Sequence, residues 1–354
     1  MALTALAAVA ILVLTSSTRA AGFVDPLDVP AQPSALAAKS LLEGVARAGL
    51  RLVAVGQRGH IVYSTDGGAT WQQAKVPVSS DLTAVFFVND QKGWAVGHDG
   101  VILHTSDGGL TWTTQLDGRR ANERLVEYMQ ERVDASPQAA DKKQLLEEAK
   151  RYKEQGADKP FLDVWFADET NGYVVGAYNL IFHTRDGGKN WEPWFDQTDN
   201  PKLLNLYAIR PAAGGLYIAG EGGLALKLDL EAQRFKALQT PYNGSYFGVV
   251  GDKAVVLLFG LRGNAFRSDD AGKTWAKVDT GLPATIVAGL TTANDAVVVA
   301  DVGGRAAISI DGARTFKPAP LSVSRPLASI ADAGNGRLAL AGPQGVAVAE
   351  LASR

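Results

Sequence analysis

A short turn motif that recurs along this chain limits the available folds more than any other feature of its sequence. It has the pattern Ser/Thr-x-Asp-x-Gly/Ala-x-Thr/Asn-Trp/Phe. The Asp of such a turn can accept backbone N–H bonds, a Gly can adopt positive φ, and the aromatic ring can pack between neighbouring sheets. The copies are Ser64–Trp71, Thr105–Trp112, Thr184–Trp191, Ser268–Trp275 and Ser309–Phe316. We interpret them as structural Asp-box hairpins, whose turn carboxylates belong to Asp66, Asp107, Asp186, Asp270 and Asp311.

The motif recurs at a nearly constant interval. Its closing aromatic residues, counted with Phe235 of a degenerate copy, lie 40 to 44 residues apart, except for 79 between Trp112 and Trp191. A period near 40 residues is typical of a four-stranded propeller blade. With weaker copies at 215–235 and 338–351, the repeats number seven. We therefore predict an all-β fold, a seven-bladed β-propeller with Asp-box (BNR-like) repeats that occupies residues 21–354.

The interval of 79 residues indicates an insertion before the third blade. Residues 119–159 are rich in Glu, Lys, Arg, Ala and Leu with helical spacing. They predict a helical hairpin between blades 2 and 3, with helices over 120–133 and 137–155, the second capped by Ser136 and started by Pro137. This insertion is either a solvated decoration or an arm or lid that contacts a partner.

The last repeat has no sequence of its own for an outer strand. The segment Leu27–Leu36 is extended in character. We expect this N-terminal strand to pair with the seventh blade and close the ring, because closure removes free sheet edges.

The N-terminus predicts export. Residues 2–14 form an apolar run that is short for a membrane span, and small residues around Ala20 suit signal peptidase. We predict a signal peptide over residues 1–20, with the mature protein in the periplasm, or in the thylakoid lumen of a photosynthetic organism. An uncleaved N-terminal anchor is the alternative. The chain contains no Cys, which excludes disulfides, thiolate zinc sites and acylation at a Cys.

Composition and motifs also exclude several functions. The net charge of −2 gives no reason to expect nucleic-acid binding. No G-x-S-x-G, H-E-x-x-H or P-loop sequence is present, and the four His residues lack metal-ligand spacing. Sialidases also contain Asp boxes, but Ile209-Arg210-Pro211 does not match their F/Y-R-I-P motif. We therefore expect no enzyme activity, no catalytic residues, no metal and no cofactor.

Four arginines form the candidate binding site. Arg58, Arg262 and Arg305 lie in the turn between the second and third strands of blades 1, 5 and 6, and Arg325 lies in the connection that enters blade 7. In a closed ring these blades are contiguous and these segments share one face. Guanidinium groups suit the carboxylates of a partner. The alternative is that they are ordinary exposed turn residues.

The repeats also carry a family resemblance. The segments Val55–Trp71 and Val96–Trp112 show V-G-x-x-G-x-I/V-x-x-S/T-x-D-G-G-x-T-W. This pattern resembles the photosystem II stability/assembly factor family, over residues 27–352. The resemblance implies a non-catalytic, lumenal or periplasmic propeller with an Arg-rich surface that binds an extramembrane segment of a membrane-protein subunit.

The resemblance assigns partner binding to Arg58, Arg262 and Arg305, which lie at turns of the repeat, and Arg325 is added on position alone. We also expect a monomer that is peripheral to the membrane. The alternative function is a carbohydrate-binding or sialidase-like glycan hydrolase propeller, with Tyr178, Tyr242 and Tyr246 as stacking residues on the ligand face.

Overall fold

The computed structural model describes residues 24–351, so the predicted signal peptide lies outside the described residues. The described chain forms seven antiparallel sheets, each made of strands consecutive in sequence. Six sheets have four strands and the last has three. Each first strand packs against the first strand of the next blade, and blade 7 packs on blade 1. The seven predicted blades are thereby confirmed, and the ring is closed.

The first three blades and the insertion occupy the N-terminal half. Blade 1 contains β1 (Leu42–Ala48), β2 (Arg51–Gly56), β3 (Ile61–Ser64) and β4 (Gln72–Gln73). Blade 2 contains β5 (Leu82–Phe87), β6 (Gly93–Gly97), β7 (Ile102–Thr105) and β8 (Thr113–Leu116). The helices are α1 (Gly118–Ala135) and α2 (Ala140–Gln155). Blade 3 contains β9 (Phe161–Phe166), β10 (Gly172–Gly176), β11 (Ile181–Thr184) and β12 (Glu192–Pro193).

The remaining four blades follow without insertion. Blade 4 contains β13 (Leu206–Ala212), β14 (Gly215–Gly220), β15 (Ala225–Asp229) and β16 (Arg234–Ala237). Blade 5 contains β17 (Tyr246–Gly251), β18 (Val256–Gly260), β19 (Ala265–Ser268) and β20 (Ala276–Val278). Blade 6 contains β21 (Ile286–Thr291), β22 (Val297–Asp301), β23 (Ala306–Ser309) and β24 (Lys317–Pro318). Blade 7 contains β25 (Ser329–Gly334), β26 (Arg337–Gly342) and β27 (Gly345–Glu350).

The second strand of each blade is apolar because neighbouring blades cover both of its faces. All five residues of β6, β10, β18 and β22 are buried. The Gly that ends most of these strands permits a close backbone approach, since a Cβ on Gly56 would lie 2.3 Å from the carbonyl oxygen of Leu41. The core is therefore a series of apolar layers between blades rather than one central cluster.

The Asp-box motifs form tight hairpins between the third and fourth strands. In blade 1 the Ser64 hydroxyl donates to Asp66 Oδ1 at 2.7 Å, and Asp66 also accepts from the Thr70 amide at 2.9 Å and the Thr70 hydroxyl at 2.6 Å. The Trp71 indole N–H donates to the Gly68 carbonyl at 3.2 Å. The other four boxes repeat the bonds to the Asp. These local bonds stabilise each hairpin.

The prediction that an N-terminal strand closes the last blade is wrong. Residues 26–34 lie instead along the end of blade 1, where the Ala31 amide donates to Val76 O at 3.1 Å and the Ser79 amide to Pro26 O at 2.9 Å. The segment contains three prolines, which lack the N–H that a ladder requires. The edge of β27 is met by the preceding connection, through a single bridge between Leu321 and Leu351.

Side-chain packing between blades 7 and 1 closes the ring. Leu52 and Ala54 of β2 share a buried cluster with Ala339 and Ala341 of β26. On the outer side, Val348 of β27 packs against this cluster. Because this seam buries apolar surface on both blades, the ring does not need a shared strand.

The helical insertion lies against blade 3. Buried Leu125 and Met129 of α1 and Leu146 of α2 join the apolar cluster that contains Phe161. Asp117 caps α1 by accepting the Arg120 amide at 3.1 Å. The helix α2 begins at Ala140 rather than at residue 137, because the two residues after the C-cap of α1 form a turn closed by the Ala139 amide on the Ser136 carbonyl.

Asp66→Asn tests how much the Asp-box charge stabilises the fold. Hydrogen bonds from the Thr70 hydroxyl, the Thr70 amide and Ser64 lower the pKa of Asp66 to about 2. A carboxyl whose folded pKa lies below its unfolded value stabilises the fold above that unfolded value and loses this contribution as pH falls through the folded pKa. We expect Asp66→Asn to lower the melting temperature at pH 7, with a difference from wild type that shrinks between about pH 4 and pH 2. Thermal unfolding monitored by circular dichroism measures this, and Asp99→Asn, which lies outside the boxes, is the control. A difference independent of pH would contradict the electrostatic explanation.

Candidate partner-binding face

The turns between second and third strands build one face of the ring in a repeated way. In blades 1 to 5 the middle residue of a short 3-10 turn has a positive φ of 53° to 61°. In several of them its amide donates to a side chain at the start of the next blade. The Arg58 amide reaches Asp81 Oδ1 at 2.6 Å and the Arg262 amide reaches Thr285 Oγ1 at 3.2 Å. The turns of blades 1, 3, 4 and 5 are thus each bonded to the next blade.

Arg58 and Arg262 occupy equivalent positions on this face. Both lie at the positive-φ centre of their turns, and both side chains are exposed. Neither guanidinium forms a salt bridge within residues 24–351. These two arginines are therefore available to an external carboxylate.

Arg305 is not equivalent to Arg58 and Arg262. In blade 1 the arginine is followed by Gly59, and Gly304 is the equivalent glycine of blade 6. A Cβ added to either glycine would lie 2.2 Å from a backbone oxygen of the connection to the next blade. Arg305 therefore lies one residue beyond that Gly. Its Nε donates to Asp301 Oδ2 at 2.8 Å, and Asp301 is fully buried. Asp301 replaces the Gly that ends the other second strands, and Arg305 compensates its charge.

Arg325 and Lys39 fill the gap between blades 6 and 1. Gly304 packs closely against the backbone of Arg325. The Arg325 guanidinium donates to the carbonyl of Gln344 in the turn of blade 7. The same turn of blade 7 lies against Lys39, because a Cβ on Gly345 would lie 2.6 Å from the Lys39 Cα. The Lys39 side chain is exposed. We call this series, from blade 5 to blade 1, the cationic arc; it consists of Arg262, Arg305, Arg325, Lys39 and Arg58.

Sequence reasoning missed Lys39, because no motif marks it. Lys39 lies in the N-terminal segment before the first repeat, and its position on the face depends on the contacts of that segment with blades 1 and 7. The cationic arc also ends abruptly. Asp81 and Asp99 carry negative charge on the blade 1–2 side, where burial raises the pKa of Glu43, His98 opposes the rise and Asp81 adds to it. The face is therefore polarised, with cations on one side and carboxylates on the other.

The three tyrosines considered for sugar stacking do not form one platform. Tyr246 is fully buried, so its proposed stacking role is wrong. Tyr242 is partly buried and its hydroxyl donates to Leu261 O at 3.0 Å. Tyr178 alone is well exposed, at 52%, and its backbone oxygen accepts from the Tyr152 hydroxyl at 3.2 Å. One exposed ring does not make a sugar-binding surface.

A cleft of about 600 Å³ separates the helical insertion from the connection between blades 3 and 4. Two of its three cations are already paired, and its carboxylates Asp141, Asp196 and Asp199 equal the cations in number. Arg132 Nε lies 3.4 Å from Asp196 Oδ2, and Arg234 Nη2 donates to Asp199 Oδ1 at 2.8 Å. Because these charges cancel, the cleft attracts a charged partner less than the cationic arc does.

A second groove, of about 820 Å³, lies on the Asp-box side and extends from blade 3 to blade 6. Its wall includes Trp165, Leu228 and His183. Burial lowers the pKa of His183 to about 4, and its Nε2 lies 2.7 Å from Asn171 Oδ1. His183 also stacks on Tyr173, which explains its presence by packing.

Within residues 24–351, no group of three or more His, Cys, Asp and Glu side chains is arranged to hold a metal ion. His60 is buried, and its Nδ1 lies 3.3 Å from the Ser40 hydroxyl. Over the same part of the chain, none of the helices combines the length and the apolar character needed to cross a membrane.

The fold and this face define a class of protein, a closed Asp-box β-propeller that presents a cationic arc around one end of its central channel. The chain belongs to the family described as photosynthesis system II assembly factor YCF48, whose family model matches residues 48–122 and 147–338. The family resemblance seen in the repeats is therefore confirmed. Residues 123–146, which include most of α1 and the start of α2, lie outside the match.

Individual relatives show the same similarity. The photosystem II assembly lipoprotein Ycf48 of Synechococcus sp. (strain CC9902) is 25% identical over 118 residues, which is 32% of this chain and 35% of that protein. The chain thus matches about a third of the length of that relative. YCF48 from Cyanidioschyzon merolae has a TM-score of 0.63 at 18% identity, over 90% of this chain and 97% of that one.

Two further solved structures share the fold. YCF48 bound to a D1 peptide has a TM-score of 0.62 at 16% identity, over 89% of this chain and 95% of that one. A streptogramin B lyase has a TM-score of 0.64 at 11% identity, over 89% and 95%. At these identities the likeness shows the propeller fold alone, since one fold serves unrelated functions.

Comparing Arg305→Ala with Arg262→Ala tests whether Arg305 stabilises the fold while Arg262 does not. Truncation leaves the buried Asp301 carboxylate with only backbone donors, the amides of Gly303 and Arg305 at 3.0 Å each. We expect a loss of about 2 kcal/mol in the free energy of unfolding, as for a lost hydrogen bond to a buried charge. Arg262→Ala should change it by less than about 0.5 kcal/mol. Urea titration measures both, and equal losses would refute the structural role of Arg305.

Proposed function

We propose that this protein is a non-catalytic assembly factor that grips an extramembrane segment of a membrane-protein subunit through the cationic arc. Family membership supports this function, and one relative in the family has been solved with a D1 peptide bound. The observation that carries the proposal is the pair of exposed arginines, Arg58 and Arg262, on turns locked by the next blade.

The chemistry of the arc favours a carboxylate-bearing partner. Guanidinium groups bind carboxylates with two parallel hydrogen bonds, and a rigid support reduces the entropy lost on binding. Arg262 and Arg325 extend the arc over three blades and Lys39 links it to Arg58. An extended segment lying across these blades would contact several cations at once. Arg305 contributes charge to the arc, but its pairing with Asp301 restricts its freedom to rearrange.

Cellular placement follows from the same function. We propose that residues 1–20 act as a signal peptide, that residues 21–354 with the insertion at 119–159 form the exported domain, and that it works in the periplasm or lumen as a monomer at the membrane surface. The polarised face would then orient the protein, with the cationic arc toward the acidic segment of its partner.

Reversing the charge of the three arc arginines that form no salt bridge within residues 24–351 tests the assembly-factor function. The variant Arg58→Glu, Arg262→Glu, Arg325→Glu spares Arg305, so it keeps the Asp301 pair. We expect it to lose a membrane-protein subunit that wild type captures in a crosslinked pull-down from membranes of the exporting cell, identified by mass spectrometry. Reversal replaces attraction to carboxylates by repulsion, so the loss should exceed tenfold, or about 1.4 kcal/mol.

The matched control reverses three lysines on the Asp-box side, Lys189, Lys273 and Lys317, and has the same net charge. Both variants must show wild-type circular dichroism. Capture lost only in the arginine variant supports the proposal. Equal capture by both variants would exclude the cationic arc and move the site to the helical insertion, and no membrane partner in either would refute the assembly function.

A further inference from the structure

The first strands of blades 1 to 6 share an irregularity at the end that faces the cationic arc. In each of these strands the first residue pairs with the second strand, the next residue has no partner, and pairing resumes at the residue after it. Leu42 pairs with Gly56 but Gly44 pairs with Val55, for example, so Glu43 is left out. The six skipped residues are Glu43, Thr83, Leu162, Tyr207, Phe247 and Val287. Such bulges re-aim a side chain and are common beside binding sites.

The position of these bulges places their side chains around the channel mouth. The first strand is the innermost of each blade, and the Gly that pairs beside the bulge leads directly into the turn of the cationic face, as Gly260 does beside Arg262. Neighbouring bulge residues also meet across blades. The rings of Tyr207 and Phe247 lie 5.1 Å apart, and the Thr83 hydroxyl donates to Phe161 O of the next blade at 2.7 Å.

The bulge residues divide the mouth into two halves. Blades 1 and 2 contribute polar Glu43 and Thr83, whereas blades 3 to 6 contribute Leu162, Tyr207, Phe247 and Val287 in succession. These four apolar side chains are only partly buried, so each keeps an open side. A succession of four half-buried apolar residues at the centre of a charged face is typical of a site for a partner's apolar side chain.

The two features overlap on blades 5 and 6. There Phe247 and Val287 lie on the first strands, and Arg262 and Arg305 lie in the turns that follow the paired second strands. From this overlap we infer that the apolar half of the channel mouth receives a bulky apolar side chain of an extended partner segment, which carries its carboxylates a few residues away on the cationic arc. The inference rests on the proposed function and adds a second recognition element to it. Charge complementarity with the cationic arc sets the direction of the segment, and the channel mouth selects for its apolar residue.

Two fluorescein-labelled synthetic peptides test the inference. They end in Phe-Gly-Asp-Glu and Ser-Gly-Asp-Glu, with the same flanking residues, and fluorescence anisotropy gives their affinities for the full chain. Burying a Phe ring on binding should make the first peptide bind at least tenfold tighter than the second. Phe247→Ala should remove this preference, and Phe247→Leu, which stays apolar, should retain most of it.

Two further variants make the result decisive. Val287→Asn lies on the next blade and should also reduce the preference, so a misfolded Phe247→Ala would not leave the question open. Leu230→Asn is the control, because Leu230 is 74% exposed on the Asp-box side and should change nothing. Equal binding of the two peptides, still weakened by the arginine variant, would overturn the inference and leave the proposed function intact. If neither peptide binds, the inference is overturned, and the pull-down from membranes decides the proposed function separately.

Discussion

Each blade of this protein depends on its two neighbours to cover its faces, and the rest of the structure follows from that constraint. The second strands are buried on both sides, so a blade at an open end would expose a whole apolar surface to water. The ring must therefore close. It does so by packing Leu52 and Ala54 against Ala339 and Ala341, and within residues 24–351 the first and last blades share no strand.

The same dependence builds the candidate partner-binding face. Because the turns of blades 1, 3, 4 and 5 donate their central amides to the next blade, the positions of Arg58 and Arg262 are set by contacts outside their own repeats. The bulges beside these turns direct a ring of side chains to the channel mouth. The charge and apolar character of a face assembled this way vary from blade to blade, because the scaffold does not depend on those side chains. The turn centres of blades 1, 2 and 3 are Arg58, Asp99 and Tyr178 on one backbone conformation.

Local features of the fold could be predicted where the bonds that stabilise them are local. Asp66 and Thr70 are four residues apart, and the pattern of such pairs predicts both the hairpin and the number of blades. Prediction failed where partners are distant. The prolines at 26, 30 and 33 already argued against a closing strand, but where the segment lies instead depends on Val76 and Gln73 in blade 1. Arg305 matched the other turn arginines in type, yet a one-residue offset and a buried Asp301 change its role.

The sequence by itself determined the repeat, its seven blades, the Asp-box hairpins and the family, because each depends on residues within one period of the chain. Only the tertiary structure decided which cations stand together, that Lys39 joins them, and that Tyr207 and Phe247 meet at the channel mouth. Those neighbouring residues come from different blades, and some of them are separated in sequence by nearly the whole ring. Their contacts arise from ring closure, a long-range constraint that no single repeat encodes.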